Sequence, residues 1–232
     1  MKNVLVIGAG RFGSFATIKL HDLGHQVMVV DHDENRINRL LPYASDARIG
    51  DSTEETFMQT LGVASYDLCI VSIGDDFLSS LQTTFTLKEL GAKKVVARAT
   101  SSRQEKFLLR NGADAVVFPE RELGFWTAIR FSSDNISDYV ELSDGYAIFE
   151  INVPERWSGK CVGDLDVRRK YHINILGVRT DGKSPAYSRY ANGVPSEHTK
   201  KTMNMDVRFD TMLHQGDTLL VLGMPAHIQK LL

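Results

Sequence analysis

The feature that most constrains this chain is the hexapeptide Gly8-Ala-Gly-Arg-Phe-Gly13, because of what stands on either side of it. A short, mostly apolar and β-branched run, Asn3 to Ile7, leads directly into it. Phe12, Phe15, Ala16, Ile18, Leu20 and Leu23 then recur at helical spacing as far as Gly24. This is strand, tight turn, helix. In such a unit Gly8 permits the turn, Gly10 lets the backbone approach a phosphate and Gly13 lets the helix pack on the sheet. The helix N-terminus supplies free amide donors and partial positive charge. The context, more than the glycines themselves, predicts an adenine nucleotide with its phosphates on this loop.

The same rhythm continues downstream. Strand patterns over Val27 to Val30, Ala47 to Ile49, Leu68 to Ser72, Val95 to Ala97 and Ala115 to Phe118 alternate with helical patterns. The helices cover Glu34 to Leu41, Glu54 to Leu61, Phe77 to Leu90 and Arg103 to Arg110. Six strands alternating with helices predict an α/β fold, a Rossmann-type doubly wound parallel sheet. After Pro119 the pattern changes: Glu122 to Phe131 reads as a helix with Leu123, Trp126 and Ile129 on one face, and a polar stretch, Ser132 to Ser137, follows. Strand candidates Ala147 to Val153, Ile173 to Val178 and Thr218 to Leu222, with a short helix in Pro225 to Leu232, predict a second, smaller α+β domain. The expected division is 1–136 for the nucleotide-binding domain and 137–232 for the small one. The polar segment from Lys183 to Asp210 reads as a long loop, functional or disordered.

With 232 residues, 43% of them hydrophobic, the chain has enough apolar material for two modest cores, and its formal charge of -2 offers no global attraction to nucleic acid or anionic lipid. No apolar stretch approaches the ~20 residues that span a bilayer, and no targeting leader is evident at the start, so neither direct membrane insertion nor export is expected. Of the two cysteines, Cys69 lies within an apolar strand pattern and reads as a buried, reduced thiol, which suits the cytosol.

Around the loop, Asp31 stands at the end of the second strand. There a carboxylate accepts hydrogen bonds from both ribose hydroxyls and repels a 2′-phosphate, so it fits NAD, ATP or ADP and not NADP; the other reading is a cap on the next helix. Arg11 adds a full positive charge inside the loop, in excess of what a dianionic pyrophosphate needs, which favours ATP or ADP; the alternative is an arginine facing solvent against the helix dipole. At the same edge stand Asp51 after the third strand, Ser72 to Asp75 (including Gly74) after the fourth and Arg98 after the fifth. Asp51 alternatively caps the following helix. The candidate cofactor-binding set is thus Gly8, Gly10, Arg11, Phe12, Gly13, Asp31, Asp51, Ser72, Gly74 and Arg98. No catalytic acid or base can be assembled: the seven histidines are scattered, and HExxH, CxxC, a P-loop lysine and a nucleophile elbow are missing. A nucleotide domain without chemistry attached reads as a sensor, not an enzyme.

At this point the chain resembles a family, the cytosolic RCK (also called KTN) domains that regulate bacterial potassium transporters and channels. The residues that carry the likeness are Ile7-Gly-Ala-Gly-Arg-Phe-Gly13, Val30-Asp31, Ala113-Asp-Ala-Val-Val-Phe-Pro-Glu120 with Gly124, and Gly159-Lys-Cys-Val-Gly-Asp-Leu-Asp166 followed by Ile173 to Val178. A single such unit is most similar to the Ktr-type subunit; Trk-type subunits generally carry two in tandem. The resemblance implies dimers assembled into an octameric ring, docked under a membrane-embedded potassium transporter subunit at the inner face of the cell membrane and switched between ATP and ADP. It further implies that Arg11 contacts the γ-phosphate from a neighbouring subunit, that Arg98 assists at the phosphates, that Asp31 binds the ribose and that Glu120 lies near a divalent cation, Mg or Ca, shared at the interface. Glu120 otherwise reads as a helix-start carboxylate complementing the dipole. The Leu123, Trp126 and Ile129 helix corresponds to an element through which two subunits clasp each other. Some relatives bind cyclic di-AMP in the small lobe, and Trk-like ones respond to NAD and NADH. The competing readings are an NAD/NADH-sensing regulator, a minimal NAD-dependent oxidoreductase and a redox-sensing transcription regulator, the last disfavoured because no basic helix-turn-helix pattern is present.

Overall fold

The structure, a computed structural model, describes residues 1–180 and 203–231. It divides into two compact units, Met1–Glu122 and Leu123–Leu232.

The first unit is the expected doubly wound sheet. Its elements run β1 (Asn3–Ile7), α1 (Arg11–Asp22), β2 (Gln26–Asp31), α2 (Glu34–Leu40), β3 (Asp46–Ile49), α3 (Glu55–Gln59), β4 (Leu68–Val71), α4 (Phe77–Glu89), β5 (Val95–Arg98), α5 (Ser102–Arg110) and β6 (Ala115–Val117). The spatial order is β3-β2-β1-β4-β5-β6, with every pair parallel. β1 is central because it is covered on both faces: Val4 to Ile7 are all buried, and alternate residues feed two different cores. Leu5 and Ile7 pack with Met28, Val30, Cys69 and Val71 under Leu87 and Leu108, while Val4 and Val6 pack with Val27 and Val29 against Ile37 and Leu40. At the edge, β3 is mostly exposed and carries Asp46 and Arg48, charges that discourage further strand pairing. Strand order reverses between β1 and β4, the chain leaving these two adjacent strands toward opposite faces, and it is in the crevice of such a switch point that open sheets bind ligands.

The helix expected from Glu122 begins earlier, as α6 (Pro119–Phe131). Proline at the first helical position loses no hydrogen bond and has φ preset for the turn, which places Glu120 in the first turn. Leu123, Phe125 and Phe131 are exposed, whereas Trp126 and Ile129 pack against the core of the second unit. The expected single apolar face of Leu123, Trp126 and Ile129 is therefore split.

The second unit holds β7 (Ile136–Glu141), β8 (Ala147–Asn152), α7 (Val162–Leu165), α8 (Val167–Tyr171), β9 (Asn174–Arg179), β10 (Thr218–Gly223) and α9 (Pro225–Ile228). The four strands form an antiparallel sheet in the order β7-β8-β10-β9, over a core that includes Phe149, Ile151, Trp157 and Leu219. β7 was not expected. It buries only Ile136 and Tyr139, and its register with β8 slips between Ile136 and Asp138, so its hydrophobic period is broken. Of the segment read as a long loop, 183–202 lies outside the described residues; within its remainder, Asn204 bridges to Val178 in antiparallel fashion.

Candidate functional site

At the carboxyl end of β1 the chain turns at Gly8, whose φ of 95° is the conformation glycine adopts without penalty. The loop is closed down onto β4. The Ser72 side chain, 4% exposed, donates its hydroxyl beneath the loop, to the carbonyl of Ile7 at 3.1 Å and to that of Gly8. A Cβ at Gly8 would meet the Ser72 Oγ at 2.8 Å, and one at Gly13 would run into the Gly8 carbonyl and the Ser72 Oγ. Gly13 is thus required for α1 to seat against its own entry turn. Gly10 differs: among the described residues nothing beyond its chain neighbours lies within 4 Å of a Cβ built there, and the space above it is open.

Helix α1 starts at this open position without help. Helices α2, α4 and α5 are capped by the side chains of Asp33, Asp76 and Ser101, whereas α1 has Gly10 at its N-cap, no capping hydrogen bond and no acidic residue in its first turn. Its first amides have no intrahelical acceptor, and its first residue is the cation Arg11, exposed at the positive end of the helix dipole. Phe12 beside it is half-buried. An end so composed is short of negative charge.

Asp31 leaves β2 with its side chain 2% exposed. One carboxylate oxygen accepts the Ala9 amide at 2.6 Å, and the other accepts the Asp33 amide at 2.9 Å. Asp31 is not the cap of α2; that part belongs to Asp33, which accepts from Asn35. Two residues not singled out in the sequence stand over it: the His32 Nδ1 at 3.6 Å and the Arg36 Nη1 at 3.6 Å, with the Arg36 Nε 3.5 Å from Asp33. The spacing of Asp33 and Arg36, three apart on one helix face, was the available signal. Asp51 lies past β3, exposed, and accepts both the amide and the hydroxyl of Thr53 at 2.8 Å. Those bonds, with a smaller contribution from the charge of His32 and against a slight opposing effect of burial, hold its carboxyl below the ordinary range.

The other side of the crevice is basic. Arg98, at the end of β5, lies across Gly74, where a Cβ would collide with its guanidinium, and donates to Glu120 at 2.5 Å. Among the described residues the buried Arg98 Nε has no hydrogen-bond partner. Burial raises the Glu120 carboxyl, but its own backbone amide, the Arg98 hydrogen bond and the charges of Arg98 and Arg11 outweigh that and hold it below the usual value. Arg11, Arg98 and Glu120, which come from the ends of β1, β5 and β6, thus share one electrostatic neighbourhood. Ser72 and Gly74 lie there too, but beneath the loop and beneath the arginine. Among the described residues no group of three or more His, Cys, Asp or Glu is arranged to hold a metal ion, and Glu120 offers one carboxylate.

Residues 4–119 match the TrkA-N domain. The chain is 37% identical over 229 residues to the Ktr system potassium uptake protein C of Bacillus subtilis (strain 168), covering 99% of this chain and 95% of that one. It is 36% identical over 181 residues to the Ktr system potassium uptake protein A of the same organism, covering 78% and 82%. Among solved structures, a GsuK channel bound to NAD superposes on 99% of this chain with a TM-score of 0.64 at 18% identity; this chain spans 38% of that channel's length. That likeness supports the fold, parallel sheet and small antiparallel sheet together. The chain therefore belongs to the TrkA-N domain family and to the family of the Ktr system potassium uptake proteins.

Proposed function

We propose that this protein is a nucleotide-sensing regulatory subunit of a membrane potassium uptake system, a regulator and not an enzyme, whose N-terminal unit binds ATP or ADP across the switch point between β1 and β4. The observation that carries this reading is the polarity of the crevice. One side holds the buried acceptor Asp31; the other gathers Arg11 and Arg98 around an uncapped helix end with open space above Gly10. A nucleotide laid with its ribose toward Asp31 and its phosphates toward Arg11 and Arg98 matches both halves. Its near full-length likeness to proteins named for potassium uptake supports the partner, a membrane-embedded transporter subunit. Among the described residues no helix is long and apolar enough to cross a membrane, so transport would belong to that partner.

In the same reading the chain works as a homo-oligomer, dimers assembled into an octameric ring at the cytoplasmic face. The exposed Leu123, Phe125 and Phe131 of α6 are apolar surface available for pairing of copies. Glu120 would supply one ligand to a divalent cation, Mg or Ca, the remaining ligands coming from phosphate oxygens and a second subunit. ATP differs from ADP by a terminal phosphate, and only a difference in affinity for two ring shapes could make the switch.

NAD or NADH is the second reading, supported by the NAD named in the GsuK structure and by an Asp31 equally suited to either ribose diol. A thermal-shift panel of ATP, ADP, NAD, NADH and cyclic di-AMP separates these possibilities. A ligand at 100 times its dissociation constant stabilises by about 2.7 kcal/mol. ATP and ADP are expected to raise the melting temperature; no shift with any of the five overturns the sensor reading.

A further inference from the structure

We infer that Glu120 is the resident counter-ion of Arg98 in the nucleotide-free chain and that a nucleotide phosphate must displace it, so that phosphate binding is felt at the first turn of α6. The inference rests on the nucleotide reading above and concerns how that site is regulated. Three observations carry it. First, the Arg98 side chain is 19% exposed, lies over Gly74 at the switch point and has a buried Nε with no hydrogen-bond partner among the described residues, so its charge is satisfied at the exposed edge of the guanidinium, where Glu120 sits at 2.5 Å. Second, Glu120 is 55% exposed and belongs to a different element, the helix Pro119–Phe131; among the described residues its side-chain hydrogen bond is the one from Arg98, and swinging away leaves it hydrated rather than buried. Third, Arg11, the exposed cation that opens α1 after β1, stands at the same carboxyl edge of the sheet. Arg11 and Arg98 against the single Glu120 carboxylate leave a net positive charge, which a polyanion satisfies better than Glu120 does.

The two anions compete for one guanidinium edge. In the Arg98 fork Nε is enclosed, Nη1 lies against Gly74 and Nη2 holds Glu120, so a carboxylate and a phosphate oxygen pair compete for the same open edge. Binding of a phosphate and pairing with Glu120 are then mutually exclusive, and the free energy of the internal pair subtracts from nucleotide affinity. In return, the first turn of α6 loses its tether to β5 when phosphate arrives. This gives the helix that joins the two units in sequence a contact that is present without phosphate and absent with it.

The test is calorimetric titration of ATP into the full chain at low ionic strength with EDTA present, so that no divalent ion acts at Glu120. Glu120→Gln removes the competing charge and is expected to bind ATP roughly three- to fivefold more tightly than the natural chain, the gain expected for freeing one partner of a partly exposed ion pair. Simple loss of negative charge near a polyanion would give a gain too, so the cycle is completed with Arg98→Gln. In that background, or in Arg98→Lys if the glutamine variant melts below the assay temperature, the gain from E120Q is expected to vanish or fall by half or more. An E120Q chain that binds ATP no more tightly than the natural one, or a gain undiminished without Arg98, overturns the exchange. A natural chain that binds no ATP overturns the nucleotide reading instead.

Discussion

The buried carboxylate of Asp31 holds the amide of Ala9 at 2.6 Å, tying the end of β2 to the glycine loop that follows β1. Asp31 is therefore part of the loop's construction before it is a contact for any ribose, and the two parts separate on mutation. Asp31→Ala leaves the Ala9 amide buried and unpaired, at a cost of about 1–3 kcal/mol. Asp31→Asn keeps an acceptor and is expected to cost less while still weakening the grip on a ribose diol. Urea unfolding midpoints of the two variants, read beside their ligand-induced thermal shifts, check this; equal stability of D31A and the natural chain would contradict it.

Gly10 and Gly13 make a matched pair for separating fold from ligand. Gly13→Ala drives a Cβ against the Gly8 carbonyl, and backbone has nowhere cheap to go, so a loss of about 1–3 kcal/mol is expected. Gly10→Ala meets nothing and keeps an ordinary φ of -66°, so its melting temperature should stay close to that of the natural chain. If phosphates occupy the open space above it, however, the methyl group intrudes on them, and nucleotide binding falls at least tenfold in G10A. Retained binding in G10A would move the phosphates away from the loop.

Much of this could be read from the chain because the central strands are buried on both faces: Val4 to Ile7 and Val27 to Val30 are unbroken apolar runs. Gly8 and Asp31 were legible for the same reason, as the positions where such runs end, and Gly13 by its spacing from Gly8. What lay beyond reach depends on adjacency across the sheet. Ser72 braces a loop 64 residues away, and Asp31 caps an amide 22 residues away; neither leaves a local pattern. Arg98 and Glu120 could each be named, yet their pairing required β5 and β6 to lie side by side. β7 escaped because a slipped register erases the period by which a half-buried strand is recognised.

Cys69 is fully buried in β4, and loss of solvation pushes its thiol up to about 12. The thiolate is the reactive form, so under native conditions near pH 8 this cysteine should resist alkylation, while Cys161, partly exposed, is the one that reacts. Mass spectrometry after iodoacetamide treatment, with and without denaturant, checks the order. Fast labelling of Cys69 in the folded chain would mean that the sheet opens there.

Asp114 predicts an acid limb. Chiefly the amide of Val95, at 2.6 Å, and also Lys88, at 3.1 Å, hold its carboxyl below the ordinary value against the opposing effect of burial. A group whose pKa is lower folded than unfolded binds fewer protons in the native state, so its contribution is complete above the unfolded value of about 3.9 and disappears as pH falls through the lower folded one. Asp114→Asn, which keeps an acceptor for Val95 but cannot titrate, should show a shallower fall in melting temperature between about pH 5 and pH 2. Identical slopes would remove Asp114 from the acid transition, leaving the other lowered carboxyls, those of Asp51, Asp67, Asp76, Glu105 and Glu120.

The exposed apolar side chains of α6 bear on assembly. Leu123 and Phe125 are 50% and 62% exposed, while Trp126 and Ile129 of the same helix are turned into the core of their own unit. A charge at Leu123 or Phe125 therefore touches little that holds the fold, and surface changes of this kind usually move stability by no more than about 0.5 kcal/mol. In a contact between copies the same charge would be buried opposite apolar surface, where an unpaired ion costs several kcal/mol. Leu123→Glu and Phe125→Glu should thus melt like the natural chain yet sediment as smaller species at the same concentration, whereas Trp126→Glu should unfold. If the first two variants keep the natural sedimentation coefficient, the face presented by Leu123 and Phe125 is not where copies meet.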